Sequence, residues 1–257
     1  MTILCDLDGV IYRGGEAVPG VRLALERLNA AGQSAYFITN NSTRTPDATA
    51  EKITLLTGAE VTGDQVLTSG MAAMTLLEPG DGPVLVVGEE GLRSEVSRAG
   101  FDMTDAPVAA GAVVVGLTRS LTYEIIRDAM LAVRNGARFI ATNDDSTFPT
   151  EHGLAPGCGA IVAAIAASAE AAPEVAGKPN QPMRNLIRER VVGEAWVIGD
   201  RLDTDIAMAI AEPGWRSVLV LTGITSRDEA EAATGVDLLA ADFTEAVDLV
   251  LRHTQPS

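Results

Sequence analysis

Residues 3–10 read Ile3-Leu4-Cys5-Asp6-Leu7-Asp8-Gly9-Val10. A short apolar run, typical of a buried strand, leads into two aspartates two positions apart and then a glycine that favours a turn. Two carboxylates this close repel each other, and one would resist ionisation unless a cation neutralised the site. The stretch therefore predicts a Mg²⁺ site, with one carboxylate free to attack and another to move a proton. Solvated turn aspartates would give the same short pattern, so the rest of the chain has to decide.

Strand-like and helical stretches alternate along almost the whole chain. Val21, Leu25 and Leu28 keep the spacing of one buried helical face, and Thr45-Pro46 marks the start of another helix. Such alternation predicts an α/β fold whose parallel sheets are covered by helices. The apolar strand-like runs are residues 3–5, 35–38, 84–87, 112–115, 138–142, 195–198, 218–221 and 237–239.

Two clusters of turn-forming residues divide the chain, at residues 79–83 and at residues 172–179. The segment between them has its own alternation of strands and helices and is long enough for a small domain. We therefore predict a Rossmann-like parallel-sheet core of residues 1–78 plus 173–257. A smaller α/β cap domain, residues 79–172, is inserted into it.

Charge and apolar content limit the classes of function. The chain has 257 residues, 47% of them apolar, and a net charge of −16. This is enough apolar material for a buried core. The acidic balance argues against nucleic-acid partners and against an anionic membrane surface. A protein this acidic that handles an anionic substrate must screen its own field with a metal, a lysine or helix N-termini.

The two cysteines form no metal or redox motif. Cys5 and Cys158 are far apart and belong to no Cys-x-x-Cys pair. We expect both to be reduced core thiols. A strand predicted at the N-terminus leaves no room for a signal peptide, and the longest apolar stretch is too short to span a bilayer. We expect a cytoplasmic protein.

Polar clusters follow predicted strands or precede a helix at four places. Asp6 and Asp8 follow the first strand, and Thr39-Asn40-Asn41 follows the run at residues 35–38. Lys178, one of only two lysines, precedes a helix that begins near residue 182, and the stretch at residues 199–205 follows the run at 195–198. Ligands bind beyond the carboxyl ends of parallel strands. Helix capping, a loop charge and turn aspartates could each explain one cluster, but together they carry the groups that phosphoryl transfer needs.

Four stretches of this chain resemble, in the same order, the four motifs of the haloacid dehalogenase (HAD) superfamily. The Thr-Asn-Asn form and the mid-chain insertion are similar to the NagD-type, 4-nitrophenylphosphatase-like branch, whose α/β cap lies between the second and third motifs. The stretches are Asp6-Leu7-Asp8-Gly9-Val10, Phe37-Ile38-Thr39-Asn40-Asn41-Ser42, Gly177-Lys178-Pro179 and Gly199-Asp200-Arg201-Leu202-Asp203-Thr204-Asp205-Ile206.

The resemblance implies a Mg²⁺-dependent phosphatase for small phosphorylated metabolites. Asp6 would be the nucleophile that forms an aspartyl-phosphate, and Asp8 the general acid and base. The other roles follow the same resemblance: Mg²⁺ ligands Asp6, Asp200 and the backbone carbonyl of Asp8; hydrogen bonds from Asp205 to the metal's waters; phosphate contacts from Thr39, Asn40 and Asn41; and charge neutralisation by Lys178.

Asp8 also separates reactions within the superfamily. Resembling dehalogenases lack an acid at this position, because halide needs no proton, and the transport ATPases carry threonine there. Asp8 therefore favours hydrolysis of phosphate esters, with a phosphomutase as the less favoured alternative. Asp203 is left with two roles: it could fix the motif loop or cap a helix predicted over residues 204–211.

A long irregular loop is predicted between residues 141 and 159, where the resembling branch reaches over the leaving group. Asn143, Asp145 and Glu151 are candidates to bind a polyol or sugar, and His152 could equally be solvated. The pyridoxal phosphate phosphatases carry histidine where this chain has Phe148, which argues against a vitamin B6 phosphate as substrate. The caps of this branch also form dimers, which leaves a homodimer open.

Two other classes of function share part of this pattern. A non-catalytic phosphometabolite-binding protein could keep the same pocket, although the complete motifs argue against it. A dinucleotide-dependent oxidoreductase would share the α/β alternation. However, no Gly-x-Gly-x-x-Gly follows the first strand.

Overall fold

The computed structural model describes residues 1–150, 153–191 and 193–254. The chain has the predicted α/β fold with parallel sheets. Its strands are β1 (Thr2–Cys5), β2 (Tyr12–Arg13), β3 (Glu16–Ala17), β4 (Ser34–Thr39), β5 (Val66–Thr68), β6 (Val84–Val87), β7 (Ala112–Val115), β8 (Arg138–Ala141), β9 (Thr147–Thr150), β10 (Gly153–Pro156), β11 (Glu174–Val175), β12 (Ala195–Gly199), β13 (Trp215–Val220) and β14 (Leu238–Ala240). Its α-helices are α1 (Val21–Ala30), α2 (Pro46–Thr57), α3 (Ser69–Met74), α4 (Glu90–Arg98), α5 (Tyr123–Arg134), α6 (Cys158–Ala169), α7 (Gln181–Arg188), α8 (Ala207–Ile210), α9 (Arg227–Ala232) and α10 (Phe243–Thr254).

The six-stranded sheet has the order β14-β13-β12-β1-β4-β5. β1 lies in the middle and pairs in parallel with β12 on one side and β4 on the other. Its residues Ile3, Leu4 and Cys5 are fully buried, as expected for a strand covered on both faces. The half made of β1, β4 and β5 comes first along the chain, and the half made of β12, β13 and β14 comes last. The carboxyl ends of β1 and β12 therefore form the switch point at which open α/β sheets bind ligands.

Each sheet has its own apolar core. The six-stranded sheet packs side chains such as Phe37 and Phe243, both fully buried, and α1 lies against α10. The four-stranded sheet, of order β11-β8-β7-β6, is parallel throughout and packs against α5 and α6 through Val113, Phe139 and Ile165. The apolar runs of the sequence thus correspond to strands of the two sheets, most of them buried.

The chain divides into two compact units. The first unit is Met1–Thr39, Asp47–Leu67 and Ile187–Ser257, and the second unit is Asn40–Pro46 and Thr68–Leu186. The polypeptide passes from the first unit to the second at the Thr39–Asn40 peptide, directly inside the second predicted motif. The predicted core of residues 1–78 plus 173–257 and the predicted cap of residues 79–172 remain predictions.

Two local expectations were wrong. The segment predicted as a long irregular loop contains an antiparallel hairpin of β9 and β10. Pro149 argued against a strand in the sequence, because proline is unfavourable within a sheet. A two-stranded hairpin has only edge strands, and edge strands tolerate proline. The helix predicted over residues 204–211 is a π-helix, Leu202–Ile206, followed by the short α8. Wider turns of this kind recur at functional sites.

Both cysteines are free, buried thiols. Burial raises the pKa of Cys158 to about 11. Burial, and secondly the charge of Asp6, raises the pKa of Cys5 well above its usual range. Both side chains therefore stay neutral, as core thiols do. Within the part of the chain described, none of the helices combines the length and the apolar character needed to span a bilayer.

Candidate active site

Asp6 is held in place by the end of β1. Its backbone N–H donates to the carbonyl of Ile198, at 2.9 Å, and so extends the β1–β12 ladder by one residue. The chain then turns sharply, because Leu7 O accepts from Ile11 N at 2.9 Å and Gly9 N donates to Tyr12 O at 2.8 Å. Gly9 has a φ of +87°, which glycine adopts without strain. The turn carries Asp8, which is partly exposed.

Asp200 and Asp205 converge on the same place. β12 ends at Gly199, Asp200 is the next residue, and Asp205 belongs to the π-helix. Asp200 is 2% exposed and Asp205 is 1% exposed, whereas Asp6 is partly buried. One carboxylate oxygen from each of Asp6, Asp200 and Asp205 lies within 4.8 Å of the other two. We call these three residues the aspartate cluster.

The aspartate cluster fits a divalent cation. Hard cations such as Mg²⁺ and Ca²⁺ prefer oxygen ligands, and carboxylates supply them with charge. Two unit charges no more than 4.8 Å apart repel by about 3.5 kcal/mol or more at an effective dielectric constant of about 20. A cation among the three carboxylates would turn that repulsion into attraction. Asp205 is itself near enough to be a ligand, and its predicted indirect role through metal-bound waters stays a prediction.

The loop after β13, residues 222–225, braces Asp200. Ile224 N donates to Asp200 Oδ2 at 2.8 Å, and Thr225 Oγ1 donates to the backbone carbonyl of Asp200 at 2.6 Å. Thr222 Oγ1 donates to the carbonyl of Gly9 and so joins this loop to the turn that carries Asp8. These residues were not predicted from the sequence. Their position after the run at residues 218–221 was the signal, since it is the same sheet edge.

Glycines leave the space that the aspartates fill. A Cβ on Gly223 would lie 1.8 Å from Asp200 Oδ2, and a Cβ on Gly9 would lie 2.7 Å from the same atom. A Cβ on Gly199 would lie 2.2 Å from Asp205 Cβ. Real Cβ atoms do not approach other atoms this closely, so any side chain at these positions would displace an aspartate.

Thr39 ends β4 at the same edge of the sheet. Phe37 is the register partner of Cys5, so Thr39 lies two residues further along, beside the turn that follows β1. It is 4% exposed. This placement agrees with the predicted edge, and contact of Thr39 with phosphate stays a prediction. The same holds for the predicted backbone contact of Asp8 with the metal.

The structure brings other predicted residues together within the second unit. The carboxamide of Asn40 bonds to the backbone of Lys178, accepting from its N–H at 2.8 Å and donating to its carbonyl at 3.2 Å. It also donates to Asp145 Oδ2 at 3.2 Å, and Asn143 Nδ2 donates to the carbonyl of Asn40 at 2.7 Å. Lys178 is 3% exposed and Asn143 is 4% exposed. Asn143 and Asp145 thus hold Asn40, and their predicted contact with the leaving group stays a prediction.

Asn41 forms a local turn. Its Oδ1 accepts from the backbone N–H of Thr43 at 2.8 Å and from the Thr43 hydroxyl at 2.7 Å. Such side-chain turns fix the backbone of the residues around them. Because the side chain of Asn41 bonds to Thr43, the predicted contact of Asn41 with phosphate would be made by its backbone. That contact stays a prediction.

Phe148 belongs to the hairpin strand β9. Its ring lies 5.9 Å from the guanidinium carbon of Arg119, and one guanidinium nitrogen of Arg119, Nη1, donates to both carboxylate oxygens of Glu89, at 2.9 and 3.1 Å. The aromatic ring is partly buried. Glu151 and His152 lie outside the described residues.

Asp203 pairs with Arg201. Arg201 donates to both carboxylate oxygens of Asp203, at 3.0 and 2.7 Å, and the side chain of Asp203 is 69% exposed. Bidentate pairs of this kind fix the orientation of the guanidinium. Of the two roles left by the sequence, this ion pair with Arg201 supports fixing the motif loop.

Comparisons with known proteins agree with the geometry. Residues 3–102 match the model of a family described as haloacid dehalogenase-like hydrolase, and residues 175–246 match a second HAD-hydrolase-like family model. The chain is 39% identical over 232 residues to 5'-nucleotidase YutF of Bacillus subtilis, a match that covers 88% of each protein.

Solved structures are similar over almost the whole chain. A hypothetical protein of Pyrococcus horikoshii OT3 has a TM-score of 0.90 and 40% identity, covering 97% of this chain and 99% of that one. The glycerol phosphate phosphatase Rv1692 of Mycobacterium tuberculosis, solved in complex with magnesium, has a TM-score of 0.86 and 35% identity, covering 96% of this chain and 75% of that one. The mycobacterial protein has also been solved with calcium.

Magnesium should stabilise the folded protein through the aspartate cluster. At a concentration about 100 times its dissociation constant, a ligand of the folded state adds about 2.7 kcal/mol to the free energy of unfolding. We expect Mg²⁺ to raise the melting temperature by about 5 °C or more. Asp200→Asn should lose most of this rise, whereas the exposed Asp203→Asn should keep it. An equal rise in all three proteins would place the cation elsewhere.

Gly223→Ala should weaken the cation site, because the new methyl group would push Asp200 away from Asp6. We expect the dissociation constant for Mg²⁺, measured by calorimetry, to rise about tenfold or more. Gly15→Ala is the matched control, since a Cβ there meets nothing within 4 Å. Unchanged affinity in Gly223→Ala, or an equal loss in both variants, would contradict this reading of the glycine contacts.

Proposed function

The chain belongs to the haloacid dehalogenase-like hydrolases, and on this premise we propose that it is a Mg²⁺-dependent phosphatase of small phosphorylated metabolites. It is a phosphatase, as the names of its relatives indicate. The metal, the intermediate and the substrate class are the proposed part. One observation carries the proposal: the carboxylates of Asp6, Asp200 and Asp205 converge at the switch point of a parallel sheet.

In the proposed first step, a carboxylate oxygen of Asp6 attacks the phosphorus of the substrate. The bond from phosphorus to the ester oxygen breaks, and the leaving group departs with both electrons of that bond. Asp8 gives its proton to the leaving alkoxide, which becomes an alcohol. The product of this step is a phosphorylated Asp6 and an ionised Asp8.

In the second step, water attacks the phosphorus of the aspartyl-phosphate. Asp8, now a carboxylate, takes a proton from that water, so it returns to its starting state. The acyl–phosphate bond breaks on the phosphorus side, which frees the Asp6 carboxylate and releases orthophosphate. The turn at Gly9 places both aspartates on one short segment, so one rigid loop serves both steps.

The proposal assigns charge neutralisation to the aspartate cluster and to Lys178. Bound Mg²⁺ supplies positive charge that lets a carboxylate and a phosphate approach each other. Asp6, Asp200 and Asp205 offer the oxygens that would hold it. Lys178, nearly fully buried in a chain with a net charge of −16, would neutralise the phosphoryl oxygens. Thr39 and the backbone of Asn40 and Asn41 would bind the phosphate oxygens.

The proposed substrates are sugar, polyol or nucleotide monophosphates. Relatives named as a 5'-nucleotidase, an acid sugar phosphatase and a D-glycerol 3-phosphate phosphatase support this range. The proposed cap, residues 79–172, would supply contacts to the leaving group, among them Asp145 and Phe148. A cytoplasmic location completes the proposal and agrees with the two free, buried thiols.

Asp8→Asn should separate the two steps. p-Nitrophenolate leaves without needing a proton, so Asp6 can still be phosphorylated, but the water of the second step loses its base. Rapid mixing of this variant with p-nitrophenyl phosphate and Mg²⁺ should release about one p-nitrophenolate per chain, followed by turnover about 10²- to 10⁴-fold slower than in the wild type.

Asp6→Asn is the control for this experiment and should give no burst. Chelation of Mg²⁺ in the wild type should abolish turnover, and a panel of metabolite phosphates compared by kcat/KM would identify the substrate class. Equal turnover in the wild type, Asp6→Asn and the chelated protein would overturn the proposed mechanism. Tight binding of phosphate esters without turnover would instead favour the non-catalytic alternative.

A further inference from the structure

The side chain of Asn40 bonds to the backbone of one residue at two points. Its Oδ1 accepts from the N–H of Lys178 at 2.8 Å, and its Nδ2 donates to the carbonyl of Lys178 at 3.2 Å. The two residues are separated by 138 positions in the sequence. A carboxamide paired with both backbone groups of one residue imitates a neighbouring strand. It therefore fixes the position and the direction of that residue's backbone.

Asn40 is itself held from several sides. Its Nδ2 also donates to Asp145 Oδ2 at 3.2 Å, so both amide hydrogens have an acceptor. Its backbone carbonyl accepts from Asn143 Nδ2 at 2.7 Å and from the hydroxyl of Ser69. A side chain fixed in this way has little freedom left to lose, so it can hold Lys178 at low entropic cost.

Gly177, the residue before Lys178, lies close to the Asn40 carboxamide and leaves room for it. A Cβ on Gly177 would lie 2.4 Å from Asn40 Oδ1 and 2.6 Å from the carbonyl of Thr142. Gly177 N also donates to that carbonyl at 2.8 Å. The absence of a side chain at residue 177 therefore lets the carboxamide reach the Lys178 N–H. Glutamine at residue 40 would be too long for this gap, and serine or alanine too short to reach both backbone groups.

We propose that Asn40 is a positioning residue that acts through Lys178. The carboxamide fixes the backbone of buried Lys178, the residue to which the proposed function assigns neutralisation of the phosphoryl group, before substrate arrives. This role rests on the proposed function, and it adds a task for the Asn40 side chain to the phosphate contact expected of its backbone. Preset cations contribute more to catalysis than mobile ones, because they need no reorganisation during the reaction.

A double-mutant cycle tests this role. For p-nitrophenyl phosphate with Mg²⁺, we expect Asn40→Ala to lower kcat/KM by about 10- to 100-fold and Lys178→Ala by about 10²- to 10³-fold. The double variant should match Lys178→Ala within about threefold, because Asn40 then has nothing left to position. Losses that multiply would show that Asn40 acts independently and would overturn the proposal, as would an Asn40→Ala variant with wild-type kcat/KM.

A second measurement needs no turnover. The dissociation constant for orthophosphate in Mg²⁺, measured by calorimetry, should rise in Asn40→Ala and in Lys178→Ala, and should rise no further in the double variant. Asn40→Ser replaces Asn40→Ala if the latter does not fold. Multiplying losses of affinity would again contradict the proposal.

Asn180→Ala is the matched control for loosening of the loop. Its side chain donates to the carbonyl of Gly177 at 3.0 Å, in the same loop. We expect kcat/KM within about threefold of the wild type. A loss equal to that of Asn40→Ala would show that loop stability alone explains the effect. An inactive wild type would refute the proposed phosphatase function itself. An active wild type in which the kcat/KM losses of the two single variants multiply would refute only the role of Asn40.

Discussion

Repulsion among three carboxylates is the constraint on which the rest of the structure depends. Asp6, Asp200 and Asp205 bring oxygens within 4.8 Å of one another in a chain whose net charge is already −16. Ionised carboxylates this close together lower the stability of the folded protein unless positive charge lies between them. The fold therefore places, beside the ends of its two central strands, a group of residues that is unfavourable by itself. That combination is typical of a site built for a cation and an anionic substrate.

The backbone holds the aspartates against this repulsion. β1 and β12, the two central strands, end at the cluster, and the residues 222–225 bond to both the side chain and the carbonyl of Asp200. Gly199 and Gly223 leave room for carboxylates where any Cβ would collide with them. A methyl group at either position would act on the chemistry through geometry alone. The absence of side chains at Gly199 and Gly223 is therefore a requirement of the site, as the aspartates themselves are.

Much of this arrangement could be predicted from the sequence, because it depends on local patterns. Asp6, Thr39 and Asp200 follow apolar runs that are readable as strands, and parallel strands bring their carboxyl ends to one edge. The bond between Asn40 and Lys178 could not be predicted, since it joins residues 138 positions apart through side-chain geometry. The β9–β10 hairpin and the π-helix were missed for a different reason. Proline and aspartate weaken the local preference for a regular element, and tertiary contacts override that preference.

A crystal structure of the protein with Mg²⁺ and beryllium fluoride, which imitates a phosphoryl group on a carboxylate, tests the proposed site most directly. We expect a cation ligated by carboxylate oxygens of Asp6 and Asp200, and a trifluoroberyllate bonded to the second oxygen of Asp6. The same structure should keep the bond from Ile224 N to Asp200. A cation bound away from the aspartate cluster, or a trifluoroberyllate on any residue other than Asp6, would contradict the proposed site.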